Sequence, residues 1–162
     1  SMIYSDGAGA SIVEEVEGDD TGILAHESAS YTYDEAYYLF FGNSNNQELC
    51  RDTRYIKMHG RKIYEFALNN VPSAMKACLD KSGHDITEVK KVLIHQANEK
   101  MDEAIIKRFF RLYKMKTPEG VMPMSIHKLG NSSVATVPTL LDLVLKGNEL
   151  LILSLNILMR KF

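Results

Sequence analysis

The feature that most constrains the fold is a short apolar run between two helical patterns. The run Val92-Leu93-Ile94 predicts a short buried strand. The segment before it, Gly60 to Gly83, and the segment after it, residues 99–114, both repeat apolar residues at three- and four-residue spacings. Such spacing predicts two amphipathic helices, and Pro72 is expected to kink or split the first one. Helix, strand and helix in this order indicate an α/β layered fold.

The remaining segments extend this pattern towards both ends of the chain. Residues 28–57 are rich in Tyr, Asn and Ser and are predicted to form an irregular loop. Residues 132–148 predict another helix, with Ser132 or Ser133 as its N-cap. Residues 149–159 are largely apolar and predict a closing strand.

Size, charge and cysteine content exclude several classes of function. The chain has 162 residues, enough for one sizeable core but not for two. Its net charge of −2 gives no reason to expect nucleic acid or an anionic membrane as partner. No run of 18 apolar residues occurs, and the first residues lack a signal-peptide pattern. Cys50 and Cys78 form no C-x-x-C pair, so we expect a cytoplasmic protein without a metal site.

Three short segments are candidates for chemistry. His95 ends the predicted strand, and ligands of α/β sheets bind at the carboxyl ends of strands; a histidine that only bonds a neighbour is the alternative. Gly130-Asn131 precedes a predicted helix, which equally fits turn and capping chemistry. Residues 5–11, SDGAGAS, lack the G-x-G-x-x-G spacing of a phosphate loop, so a close approach of two backbones explains them better.

Four segments taken together resemble the motifs of the β-ketoacyl-acyl carrier protein synthase III family, which is thiolase-like. They are, in order, DGAGA at 6–10, MHGRKIY at 58–64, HQAN at 95–98 and GNSS at 130–133. The resemblance covers about residues 2 to 150 and only the second half of such an enzyme. It implies a thiolase-like half with a mixed β-sheet and helices on both faces. Residues 1–55 would then end the nucleophile-bearing half, and residues 56–162 would form the C-terminal domain.

The resemblance also implies an activity, that of an acyltransferase of fatty acid biosynthesis. In this family an acyl thioester is condensed with malonyl-acyl carrier protein, which loses carbon dioxide, and no metal or bound cofactor takes part. A cysteine of the first half carries the acyl group, while the positions of His95 and Asn131 stabilise the enolate. Two N–H donors on that oxygen contribute on the order of 3 kcal/mol each. A neutral His95 imidazole with one N–H towards the substrate is expected to supply one of them.

Substrate and partner contacts follow from the same resemblance. The pantetheine arm of coenzyme A or of the carrier protein is expected at Gly60, Arg61, Tyr64, Ala97 and Asn98. Basic residues that could contact the acidic carrier protein are Lys100, Lys107 and Arg108. A solvated helix face explains these charges equally well. The expected partners are acyl carrier protein, coenzyme A thioesters, the missing N-terminal half and a second copy in a homodimer.

The sequence departs from the family at two points. Neither cysteine matches the nucleophile, because Cys50 lies in a charged loop and Cys78 on the apolar side of a helix, so the isolated chain is expected to be inactive. No glycine follows Gly147, where the family has a glycine-rich turn. Two alternatives stay open: a related polyketide-type condensing enzyme, and a catalytically silent half-domain that only binds a carrier protein.

Overall fold

A computed structural model describes residues 3–15, 17, 22–49 and 52–147 of the chain. Its regular elements are two strands and four α-helices, joined by short 3-10 turns. They are β1 Leu39–Gly42, β2 Tyr55–Met58, α1 Gly60–Ser82, α2 Glu99–Leu112, α3 Ile126–Leu129 and α4 Thr136–Leu145.

Helix α1 confirms the first predicted helix and is not split at Pro72. It ends at Gly83, whose φ of 77° is favourable for glycine. Pro72 has no backbone N–H, so it cannot bond the carbonyl of Leu68 one turn earlier. Arg108 of α2 supplies the replacement, because its Nη1 donates to the Leu68 oxygen at 2.9 Å. The proline is therefore accommodated by a donor from the neighbouring helix.

Helix α2 confirms the second predicted helix and supplies three of the five residues of the core cluster. Its buried side chains include Ile105, Ile106, Phe109 and Phe110. The apolar spacing of residues 99–114 predicts one stripe of Met101, Ile105, Phe109 and Leu112. Ile105 and Phe109 are buried as predicted, whereas Leu112 is 45% exposed. The buried face is wider than the stripe, since it takes in the next residue along the helix at each turn. The core cluster contains Ile86, Ile106, Phe109, Phe110 and Val121.

The loop predicted for residues 28–57 contains a β-hairpin, so this prediction was wrong. Strands β1 and β2 pair antiparallel, in a register that sets Leu39 opposite Met58 and Gly42 opposite Tyr55. Each strand has four residues, too few for a clear alternating pattern in the sequence. The hairpin also crosses the predicted domain boundary between residues 55 and 56, because β2 runs from Tyr55 to Met58.

The strand predicted at Val92-Leu93-Ile94 is absent from the described part of the chain. Residues 91–96 have no regular secondary structure, and one backbone bond, from the Val92 N–H to the Val121 oxygen at 2.8 Å, ties them to the next loop. A strand is defined by a ladder of such bonds with a neighbour, and one bond does not make a ladder. The expected burial is partly right, since Val92 and Ile94 pack against the core cluster. The closing strand predicted for residues 149–159 lies outside the described residues.

The helix predicted for residues 132–148 is confirmed, but its capping differs from the prediction. It begins as a 3-10 turn, Ser133–Ala135, and continues as α4. Ser132 precedes the turn, and its side chain forms no capping bond. Instead, the Oδ1 atom of Asn131 accepts the Ser133 N–H at 2.9 Å, because the short amide side chain lies in reach of the amide two residues ahead.

Candidate active site

The N-terminal end of the described chain meets the segment that contains Asn131. Tyr4 and Asn131 form a parallel bridge. The Ser5 N–H donates to the Asn131 oxygen at 3.0 Å, and the Asn131 N–H donates to the Ile3 oxygen at 2.8 Å. This bridge places the small residues of SDGAGAS directly beside GNSS.

Glycines allow this close contact, as the sequence suggested. A Cβ atom on Gly9 would lie 2.4 Å from the Cβ of Pro138 in α4, and one on Gly7 would lie 2.9 Å from the Cβ of Ser132. Gly130 has a φ of 68° and lies against the Ile3 carbonyl, so a side chain there would be both strained and crowded. The interpretation of SDGAGAS as a segment of close backbone approach is therefore confirmed.

His95 is exposed and points its ring at the turn after Asn131. Its Nδ1 atom lies 3.1 Å from the carbonyl oxygen of Ser133. A carbonyl can only accept a hydrogen bond, so Nδ1 carries a proton and donates it. In the neutral ring the other nitrogen, Nε2, then carries the lone pair.

Asn131 is buried, with 6% of its surface exposed, and it contacts the same residue from the other side. Because its Oδ1 atom accepts the Ser133 N–H, the orientation of the amide is fixed and Nδ2 is the remaining donor. None of the residues that the structure describes accepts a hydrogen bond from this Nδ2. His95 and Asn131 thus converge on the backbone of Ser133, and the structure brings the two predicted residues together.

Gln96 is a site residue that the sequence interpretation missed. It is fully buried, and its Nε2 donates to the Pro123 oxygen at 2.6 Å. Its Oε1 accepts from the Ser125 N–H and the Ile126 N–H, each at 2.9 Å, and from the Ser125 hydroxyl at 3.2 Å. A signal was present, because a glutamine directly after a buried apolar run must find such partners when it is buried too.

Asp102, one turn into α2, was also missed. It is fully buried, and neither carboxylate oxygen has a hydrogen-bond partner among the described residues. Burial raises the pKa of Asp102 to about 7, and the charge of Glu99 adds a little. The nearby backbone N–H groups of Asn98 and Ala97 oppose that rise. This carboxyl therefore changes charge near neutral pH, close behind the His95 segment.

The residues predicted to bind pantetheine lie in two places. Gly60, Arg61 and Tyr64 form the start of α1, where the Arg61 side chain is 90% exposed and pairs with Glu65 at 2.9 Å. Ala97 and Asn98 follow His95, and the Asn98 Oδ1 caps α2 by accepting the Met101 N–H at 3.2 Å. No hydrogen bond, ion pair or ring contact within the described ranges joins the two places.

The residues predicted to bind a carrier protein lie on α2. Lys100 and Lys107 are exposed, and their spacing of two helical turns puts them on the same side of the helix. Arg108 is already held by α1, since its Nη1 donates to the Leu68 oxygen and, at 3.1 Å, to Asn69 Oδ1.

Cys78 is the one cysteine among the residues that the structure describes. Cys78 is half-buried on α1 with its sulfur 3.7 Å from the Ala25 oxygen, beside an apolar groove of about 520 Å³. Cys50 lies outside the described residues. In the part of the chain that the structure describes, no group of three or more His, Cys, Asp or Glu side chains could hold a metal ion. Within that same part, no helix has the length and apolar character needed to cross a membrane.

Comparison with known protein families points to one group. Residues 79–155 match the family described as the C-terminal part of 3-oxoacyl-[acyl-carrier-protein] synthase III. A β-ketoacyl-[acyl-carrier-protein] synthase III of Lactobacillus delbrueckii is 31% identical over 144 residues, which are 87% of this chain and 43% of that protein. The synthase III of Clostridium botulinum is 29% identical over 150 residues, with 87% of this chain and 42% of the relative covered. The chain thus spans less than half the length of these relatives.

Solved structures agree on the fold. The 3-oxoacyl-[acyl-carrier-protein] synthase III of Aquifex aeolicus superposes with a TM-score of 0.61 at 26% identity, over 82% of this chain and 38% of that one. The synthase III of Thermus thermophilus gives a TM-score of 0.53 at 23% identity, over 69% and 34% of the two chains. This likeness, with the helices and the small sheet described above, confirms the predicted α/β, thiolase-like half.

Proposed function

Because the chain belongs to the 3-oxoacyl-[acyl-carrier-protein] synthase III family and matches its C-terminal part, we propose that it supplies the decarboxylating half of a condensing active site. The whole reaction is the condensation of an acyl thioester with malonyl-acyl carrier protein in fatty acid biosynthesis. The observation that carries the proposal is the convergence of His95 and Asn131 on Ser133. The names of the relatives favour this reaction over a polyketide-type enzyme or a silent binding domain.

Decarboxylation requires hydrogen-bond donors directed at the thioester oxygen of the malonyl group. When the malonyl thioester loses carbon dioxide, the electron pair of the broken carbon–carbon bond moves into an enolate, and negative charge develops on the thioester oxygen. Asn131 Nδ2 has no acceptor in the described chain and is held rigidly by its own Oδ1 bond. A donor fixed in advance stabilises developing charge without further reorganisation. The enolate carbon then attacks the carbonyl carbon of an acyl group carried by a nucleophile from outside this chain. The bond between that carbon and the nucleophile breaks, and the nucleophile leaves with the electron pair.

The hydrogen bond that His95 forms determines which of its ring nitrogens is left for the substrate. Its Nδ1–H is used by the Ser133 carbonyl, so a neutral ring has no second N–H for the substrate. Nε2 is the ring nitrogen left to face the substrate, and it donates only when it carries a proton.

Partners and location follow from the proposed reaction. The substrates are coenzyme A and acyl carrier protein thioesters, without a metal or bound cofactor. Gly60, Arg61, Tyr64, Ala97 and Asn98 are proposed to line the pantetheine path. Lys100 and Lys107 are proposed to contact the carrier protein, with Arg108 also bracing α1. The protein would act in the cytoplasm, as a homodimer that includes a nucleophile-bearing half.

Apolar exposure supports a need for such partners. Several apolar side chains are largely exposed, among them Ile12 at 95%, Val134 at 91% and Ile23 at 77%. Exposed apolar surface of this kind commonly marks an interface. The chain alone is proposed to be inactive in acyl transfer, because Cys78 is half-buried within α1 and Cys50 does not match the nucleophile.

The experiment joins this chain to a nucleophile-bearing half of the same family in one polypeptide. His95→Ala and Asn131→Ala should each slow carbon dioxide release from malonyl-acyl carrier protein by roughly 10²–10³-fold. Acyl loading of the nucleophile, followed with radiolabelled acetyl-coenzyme A, should persist. His127→Ala, at an exposed histidine of α3, is the control and should change neither step. Normal carbon dioxide release by Asn131→Ala would refute the assignment.

A further inference from the structure

We propose that Gln96 is a positioning residue that sets the separation between His95 and Asn131. It follows His95 directly in the chain, and its buried side chain reaches the segment that leads to Asn131. The hydrogen bonds of Gln96 are observed whatever the protein's function is. Their role in catalysis rests on the proposed function.

The first attachment is to the start of α3. The Gln96 Oε1 atom accepts the backbone N–H groups of Ser125 and Ile126, each at 2.9 Å. The first amides of a helix have no partner inside the helix, and Ser125, at the N-cap, forms no side-chain cap bond. Gln96 therefore caps α3 from a distant part of the chain.

The second attachment fixes the amide itself. Its Nε2 atom donates to the Pro123 oxygen at 2.6 Å, so both ends of the amide group are bound at once. A flipped amide would place Nε2 against two N–H donors and Oε1 against a carbonyl, which is unfavourable at both ends. The Gln96 side chain consequently holds one orientation, and with it the position of α3.

The third contact joins the far end of this segment to His95. Helix α3 has four residues, and Gly130 and Asn131 follow it directly. Beyond them, the Ser133 oxygen accepts the bond from His95 Nδ1 at 3.1 Å. The neighbouring residues His95 and Gln96 thus hold the two ends of the segment that carries Asn131. If the Gln96 bonds are lost, the start of that segment is released while its end stays on His95.

The experiment records NMR spectra of the full chain and follows the Asn131 side-chain amide and the His95 ring nitrogens. Gln96→Met removes all four bonds with little change in volume. Gln96→Glu at pH 8 keeps the acceptor but loses the donor to Pro123. Burial against the Pro123 carbonyl raises the pKa of the introduced carboxyl, so at pH 5 its protonated form is favoured and can donate again. Gln47→Met, at the exposed glutamine of the hairpin loop, is the control.

Both sets of signals should leave their wild-type positions in Gln96→Met and in Gln96→Glu at pH 8. They should return to the wild-type positions at pH 5 in Gln96→Glu, each spectrum being compared with wild type at the same pH. Gln47→Met should match wild type throughout. If the signals stay at wild-type positions in both Gln96 variants, the proposal is wrong. If neither variant folds at pH 8, spectra of Gln96→Glu are recorded while the pH is raised from 5. Asn131 signals that stay at their wild-type positions until the whole protein unfolds would also overturn the proposal.

A second measurement separates this inference from the proposed function. In the polypeptide joined to a nucleophile-bearing half, Gln96→Met should slow carbon dioxide release and leave acyl loading intact. If His95→Ala and Asn131→Ala have no effect on release, the proposed function fails while the NMR result for Gln96 still stands. If those two variants are slow but Gln96→Met is not, the positioning role fails alone.

Discussion

At the scale of single residues, buried polar side chains organise this site. Both ends of the Gln96 side-chain amide are hydrogen-bonded, whereas neither carboxylate oxygen of Asp102 has a hydrogen-bond partner within the described chain. Burying an unpaired charge is costly, and a carboxyl in that position favours its neutral form. The two residues lie six positions apart, and their effects on stability should respond to pH in different ways.

Asp102→Asn should remove a pH dependence of the free energy of unfolding. The pKa of Asp102 is raised to about 7 in the folded state from an ordinary value of 3.8, so the folded state holds a proton that the unfolded state releases. Stability from this group is therefore full below pH 4 and falls as the pH rises to about 7. At pH 8 the variant should be more stable than wild type, by a few kcal/mol at most (~1.4 kcal/mol per pKa unit).

Urea denaturation at pH 5 and at pH 8 measures this difference. Asp142→Asn is the matched control, because Asp142 is exposed and pairs with Lys146 on α4. It should leave the pH dependence of wild type in place. An Asp102→Asn protein whose stability changes with pH as much as that of wild type would contradict the prediction.

The sequence predicted some of these residues and missed others for a physical reason. His95 and Asn131 were found because each lies next to a recognisable local pattern, an apolar run or a glycine turn. Gln96 and Asp102 were missed because burial of a polar side chain depends on what packs over it. For Gln96 that information lies in residues 123–126, far along the chain. The hydrogen bond of the His95 ring likewise depends on a carbonyl 38 residues away.

At the scale of elements, the spacing of apolar residues predicted the helices correctly, whereas the strands, which depend on pairing with a partner, were predicted wrongly. Helices α1 and α2 were predicted because the three- and four-residue spacing of their apolar side chains can be read from one continuous segment of sequence. The hairpin β1–β2 was missed, and the strand at Val92-Leu93-Ile94 was predicted wrongly, because a strand exists only with a partner. The hydrogen bond from Arg108 of α2 to the Leu68 carbonyl of α1 can be tested by mutation.

Arg108→Met should destabilise the chain by about 1–3 kcal/mol, because the Leu68 carbonyl then loses its donor. In a Pro72→Ala background the same change should cost less, since an alanine at that position restores the backbone N–H that bonds Leu68 within the helix. A double-mutant cycle by chemical denaturation measures the coupling. Lys107→Met, at the exposed neighbour, should cost little in either background. Equal costs of Arg108→Met in both backgrounds would exclude the explanation.

At the scale of the whole molecule, the N-terminal segment is part of the site. Ile3 and Ser5 bond Asn131 through the backbone, and Gly7 and Gly9 lie against the turn and helix that follow it. The predicted division at residue 55 stays a prediction, but the segment before it and the segment after Gly130 pack as neighbours. Removal of that contact should therefore disturb Asn131 itself.

Gly9→Ala should destabilise the chain by about 1–3 kcal/mol through overpacking, because the new Cβ would lie 2.4 Å from Pro138. The Ser5 amide should lose protection from hydrogen exchange at the same time. Gly60→Ala is the control, since nothing lies within 4 Å of a Cβ built there and alanine favours a helix. A Gly9→Ala protein as stable as Gly60→Ala would show that the segment is not tightly packed.

The bridge between Tyr4 and Asn131 also bears on the order of folding. The Ser5 hydroxyl bonds the Leu129 carbonyl across 124 positions of sequence, and closing a loop of that length costs about 4 kcal/mol of chain entropy. Helices α1 and α2 are much closer in sequence and should pair first. In pulse-labelling exchange during refolding, α1 and α2 amides should be protected before those of Ser5 and Asn131; simultaneous protection would argue against this order. On the ribosome, the same topology means that Asn131 cannot be set in place until almost all of the described chain has been synthesised.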